Sequence, residues 1–166
     1  IFAKATDGSE TEEQVTLQGP RVAPRSWHRD GRHLAVERDG DIAVVQFDGE
    51  PQVSTFLKTP AVETNPRFSP DGRWIAYQSS ETGRPEVYVS PFPGPGGKVL
   101  VSTAGGTQPR WRADGSEIFY VATASDKLMA ATVNGAGAGF RVLAVKELFD
   151  VSRRAGARYQ YDVTPN

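Results

Sequence analysis

Apolar and polar residues alternate along this chain in short runs, each cut off by glycine, proline or aspartate. The pattern is clearest between residues 67 and 104. RFS (67–69) leads into Asp71-Gly72, RWIAYQS (73–79) follows, and EVYVSPF (86–92) and KVLVST (98–103) come after further turn residues. Ile75 and Tyr77, Val87 and Val89, then Val99 and Val101 alternate with their neighbours. A period of two predicts strands that bury one side of their pleat. DIAVVQF (41–47) and PQVSTFLK (51–58) repeat the pattern upstream, and KLMAATV (127–133) and FRVLAVKELF (140–149) repeat it downstream. The last run also fits a helix, but its place in the series favours a strand.

The runs belong to a long repeat. WHRDGRHLAVE (27–37), FSPDGRWIAYQ (68–78) and WRADGSEIFYV (111–121) share an aromatic, two residues, Asp-Gly, two more residues and an apolar run. The Asp-Gly pairs start at Asp30, Asp71 and Asp114, spacings of 41 and 43 residues, and Asn166 falls in the same slot 52 residues further on. Asp-Gly between β-rich runs is a hairpin signal, because both residues tolerate positive φ. Periods of about 40–45 with four strands per unit predict β-propeller blades. The expected fold is all-β, with complete four-stranded antiparallel blades at 25–60, 67–104 and 110–149. IFAKATDGS (1–9) and EEQVTLQ (12–18) read as strands of a partial blade over 1–19, and YQYDVTPN (159–166) as the start of another. Inner strands are expected to begin near Arg25, Arg67 and Arg110.

Composition agrees with this picture and removes several function classes. Seventeen glycines and 12 prolines suit many short strands joined by turns. The formal charge of −1, with dispersed Lys and Arg, argues against a nucleic-acid surface. With no cysteine there are no disulfides or thiolate metal sites. No apolar run approaches the roughly 18 residues needed to span a bilayer, so no membrane insertion is expected. The opening at Ile1 and the stop after Thr164-Pro165-Asn166 suggest a piece of something longer. Three blades with partial ones at the ends predict either the remainder of a larger propeller or a homodimeric ring.

No catalytic machinery is expected. The recurring aspartates read as turn residues bonding nearby amides. Glu37, Asp39 and Asp41 are too few for a calcium loop. His28 and His33 flank one turn without zinc spacing and read as exposed hairpin residues, so neither a metal nor a cofactor is expected. No Gly-x-Ser-x-Gly elbow is present. One polar pattern is more informative. Asn65, Gln108 and Gln160 share a slot before the inner strand, and Arg67 and Arg110 share another. On the loop entering the innermost strand, amides and guanidiniums would ring the channel mouth and recognise a peptide or carboxylate. The same groups could instead tie the backbone at blade joints.

Aromatic-x-x-Asp-Gly followed by an Ile-Ala-Tyr-like strand, with Pro66 and Pro109 upstream, resembles the TolB-type repeats of the WD-like propellers. FSPDGRWIAY (68–77) carries the likeness most closely; WHRDGRHLAV and WRADGSEIFY depart at the proline slot. Such repeats occur in TolB of the bacterial envelope, in propellers appended to bacterial receptor-like serine/threonine kinases, and beside the hydrolase domain of prolyl-oligopeptidase-type enzymes. The stretch 88–111 is most similar to the kinase-appended kind. The resemblance implies a non-catalytic scaffold that binds a protein or peptide, on the periplasmic or extracellular side of a bacterium. Its alternative is the substrate-gating propeller of a serine peptidase.

Overall fold

The computed structural model describes residues 2–4, 12–14, 22–94, 96–137, 139–151 and 161–164. Every regular element among them is a strand. β1 (Phe2–Lys4) and β2 (Glu12–Gln14) form an antiparallel pair. β3 (Val22–Trp27), β4 (His33–Arg38), β5 (Asp41–Gln46) and β6 (Gln52–Leu57) form the first four-stranded blade in sequence order. β7 (Glu63–Phe68), β8 (Trp74–Ser79), β9 (Glu86–Pro91) and β10 (Val99–Leu100) form the second. β11 (Gly106–Trp111), β12 (Glu117–Ala122), β13 (Lys127–Asn134) and β14 (Arg141–Asp150) form the third. FRVLAVKELF is therefore a strand. Tyr161–Thr164 is described but forms none.

Each Asp-Gly turn uses one left-handed residue. Gly31, Gly72 and Gly115 have φ of 69°, 78° and 76°, whereas the aspartates before them do not enter that region. The preceding β-turn closes with Gly31 N donating to His28 O at 3.0 Å, Gly72 N to Ser69 O at 2.9 Å and Gly115 N to Arg112 O at 2.9 Å. Asp30, Asp71 and Asp114 each accept the amide two residues on, at 2.8, 3.1 and 2.9 Å. The aspartates thus act as turn caps, the role expected from their local chemistry.

The middle blade is buried on both faces because it lies between the other two. Ile75 and Tyr77 of β8 pack with Phe68 and Tyr88 against Ala35, Ile42 and Val44 of the first blade. Trp74 and Ala76, on the opposite face of the same strand, pack with Val87 and Val89 against Ile118, Tyr120 and Ala131 of the third. The expected alternation is present, but it sorts residues between two cores rather than between core and solvent. Each fully buried Ile or Val contributes about 1.5–3 kcal/mol. Backbone bonds close both joints: Glu63 N donates to Gly40 O at 2.7 Å and Gly106 N to Pro85 O at 2.8 Å.

The core phenols give the fold an alkaline limit. Burial, helped by nearby glutamates, pushes Tyr77 up to about 12, against the opposing pull of its Ser90 bond. Burial near Glu86 pushes Tyr120 up to about 12 as well. An unfolded tyrosine ionises near 10, so above that pH the unfolded chain binds fewer protons than the folded one and stability falls. Urea midpoints should hold up to about pH 9.5 and then fall progressively as the pH approaches about 12. Tyr77→Phe with Tyr120→Phe should lessen the drop, with Tyr88 and Tyr161, whose phenols are also pushed up, keeping part of it. An unchanged profile in that double variant would show that other groups set the limit.

Candidate functional site

The expected site residues lie inside the inner strands and not on the loops before them. β3, β7 and β11 begin at Val22, Glu63 and Gly106, three or four residues earlier than expected. Each carries a one-residue bulge, between Pro24 and Ser26, Thr64 and Arg67, and Thr107 and Arg110. Asn65 and Gln108 occupy the bulges at φ of 55° and 59°. A bulge re-aims the residues beside it, and here it sets Arg67 and Arg110 at matching places on neighbouring inner strands. Gln160 lies outside the described residues.

Arg25 joins the row from the first blade. It was missed in the sequence because it sits two residues before its aromatic, Trp27, whereas Arg67 and Arg110 sit one before theirs. Its Nη2 donates to Glu37 Oε2 at 2.6 Å, and Glu37 Oε1 accepts the Asn65 amide at 2.6 Å, so one carboxylate links two blades. Asn65 Nδ2 donates to Gln78 Oε1 at 3.2 Å. Arg67 Nη1 donates to the Arg25 carbonyl, and the Arg67 carbonyl accepts Trp111 Nε1 at 3.0 Å. Much of the row therefore ties blade joints, as its alternative role required.

At the third blade the row meets a short stretch of its own chain, Tyr161–Thr164. Tyr161 Oη donates to Gln108 O at 2.6 Å, and Asp162 Oδ1 lies 3.6 Å from Arg110 Nε. Burial pushes the Tyr161 phenol well above its ordinary range, while the Arg110 and Arg67 charges pull the other way. Asp162, 87% exposed, thus pairs at longer range with the last arginine of the row.

The two histidines are not exposed, which corrects the sequence expectation. Their side chains are 14% and 24% exposed, and both converge on Asp30. His28 packs edge-on against Phe68 at 5.0 Å and lies 5.5 Å from Phe92, both in the second blade. Its Nε2 is 3.1 Å from the Gly72 carbonyl. Burial pushes Asp30 upward, but the Arg32 amide and the two imidazoles outweigh it and hold the carboxyl far below its usual range. Among the described residues, no hydroxyl hydrogen-bonds to either histidine.

A family model for the TolB beta propeller domain matches residues 1–150. The chain belongs to the TolB β-propeller domain family. TolB from Acinetobacter baumannii is similar to this TolB-family chain with a TM-score of 0.67 and 23% identity, over 86% of this chain and 36% of that one. The structure assigned to TolB from Agrobacterium tumefaciens matches with a TM-score of 0.61 and 20% identity, over 78% of this chain and 51% of that one. The nidogen/laminin complex contains a chain that matches with a TM-score of 0.60 and 16% identity, over 93% of this chain and 60% of that one. No curated protein matches the sequence. The TolB-family chain thus spans about half of one TolB structure and about a third of the other. At these identities the likeness shows the fold.

The outer flank of this TolB-type segment is apolar. Leu143 and Phe149 on β14 are 62% and 61% exposed, and Val145 and Leu148 are exposed beside them. Among the described residues no helix is long and apolar enough to cross a membrane.

Proposed function

We propose that this chain is a non-catalytic recognition module that binds an extended acidic peptide segment of a partner protein along its inner-strand arginine row. The observation that carries this reading is the stretch Tyr161–Thr164, whose Asp162 carboxylate rests on Arg110 while Tyr161 bonds the Gln108 carbonyl. Guanidinium groups suit carboxylates, and the Arg110 side chain is itself only 15% exposed. Membership of the TolB β-propeller family, and the presence of a similar propeller in a nidogen/laminin complex, favour a protein partner. In a longer parent the exposed β14 flank receives a further blade or a second copy of the chain. A periplasmic or extracellular setting suits the family resemblance.

A random peptide library selected on the full chain should enrich Asp- and Glu-containing ligands. Arg67→Ala with Arg110→Ala should weaken the selected peptides at least tenfold, about 1.4 kcal/mol. Arg67→Lys with Arg110→Lys, which keeps the charge, should lose less. Enrichment of apolar peptides that ignore the double alanine variant would refute the reading.

A further inference from the structure

The turn of the first blade holds a donor set that neither other blade repeats. In the second blade the place of His28 is taken by Ser69, whose hydroxyl donates to Asp71 Oδ1 at 2.5 Å. In the third it is taken by Arg112, with Nε 3.2 Å from Asp114 Oδ2 and Nη1 3.1 Å from Glu117 Oε2. Both turn carboxylates therefore face a proton donor or a cation.

The first blade is different. The Gly72 carbonyl can only accept, so the 3.1 Å contact places the ring proton of His28 on Nε2. In the neutral ring Nδ1 then carries the lone pair, 2.9 Å from Asp30 Oδ1 and 3.2 Å from the Asp30 amide nitrogen. A neutral ring and a carboxylate oxygen at that separation repel unless a proton or a metal ion lies between them. His33 Nδ1 approaches the other carboxylate oxygen at 2.8 Å. Each of the three residues brings one donor atom within 4.8 Å of the other two.

We propose that His28, Asp30 and His33 bind a zinc-class divalent cation that locks the joint between the first and second blades. Two imidazoles and a carboxylate are zinc ligands, and three protein ligands leave the fourth position to water. Zinc bonds of about 2.0–2.1 Å give tetrahedral edges of about 3.4 Å, inside the 4.8 Å within which the three donor atoms lie. The Nε2–carbonyl bond is the outer contact that metal-bound histidines use to fix their tautomer. It is supplied by Gly72, 44 residues away on the next blade. The ion holds His28 on the first blade's turn while the same ring packs on Phe68 and Phe92 of the second. Magnesium and calcium, which favour oxygen ligands, fit this set poorly.

The test is calorimetric titration of the tag-free full chain, stripped with chelator, using zinc chloride and, separately, magnesium chloride. One equivalent of zinc should bind with micromolar affinity or better and raise the melting temperature, and magnesium should do neither. His33→Ala should lower zinc affinity at least tenfold and remove the thermal shift. His33→Gln, closer in size, provides the same comparison if the alanine variant folds poorly. Cobalt should give visible ligand-field absorption in the parent chain and lose it in either variant. Failure of the parent to saturate at one equivalent would overturn the proposal. So would unchanged zinc affinity in a folded His33 variant.

Discussion

Tyr77→Ala should destabilise the chain by about 3–5 kcal/mol, the range for removing a buried aromatic from a core. Tyr77 is fully buried and stacks on Tyr88 with ring centroids 5.9 Å apart. Its cluster spans the joint between the first two blades, so truncation opens a cavity between blades as well as inside one. For a chain of this size about 2–4 °C of melting temperature is lost per kcal/mol, which predicts a fall of roughly 6–20 °C. Tyr77→Phe should cost about 1 kcal/mol, because it gives up only a 3.3 Å bond to Ser90. Leu143→Ala, at an exposed position, should cost about 0.5 kcal/mol or less. A Tyr77→Ala loss no larger than that of Leu143→Ala would mean that the joint is not a cooperative part of the core.

What the sequence made legible is what local chemistry decides. Asp-Gly turns, β-branched runs and their spacing need no distant partner, and they predicted the hairpins, the strand order and the repeat. β10 shows where local reasoning stops. KVLVST looks like a full strand, yet only Val99–Leu100 pairs regularly. Beyond it Val101 N still donates to Val87 O at 2.8 Å, but Ser102 Oγ takes the Val87 amide at 2.8 Å and donates to Glu86 Oε2, so side-chain bonds take over part of the ladder.

The inner-strand starts were displaced for a related reason. Asn and Gln ahead of proline read as loop residues, because positive φ and X-Pro both signal turns. Only pairing with β8 and β12 shows that Asn65 and Gln108 are bulges inside strands. The arginine row was half legible. Arg67 and Arg110 share a repeat slot, but Arg25 is offset by one residue and reaches the row through its own bulge. The histidine cluster was not legible, since its deciding contact is a carbonyl on another blade.

That contact also yields a sharp comparison between two glycines with the same turn geometry. Gly31 and Gly72 both sit at positive φ, so alanine at either position costs about 1–2 kcal/mol of backbone strain. Their surroundings differ. A Cβ on Gly31 meets nothing within 4 Å, whereas a Cβ on Gly72 falls 2.1 Å from His28 Nε2 and 2.8 Å from Cε1. The ring cannot withdraw without losing its bond to the Gly72 carbonyl and its edge-on packing on Phe68. Overpacking at a tight site adds about 1–3 kcal/mol. Gly72→Ala should therefore cost about 2–5 kcal/mol in urea titrations, and Gly31→Ala only the strain. His28→Ala on its own should be destabilising, yet it should reduce the cost of Gly72→Ala to nearly that of Gly31→Ala, because the clash has then been removed. Equal costs for Gly31→Ala and Gly72→Ala in the parent chain would show that His28 does not pack against the second blade's turn.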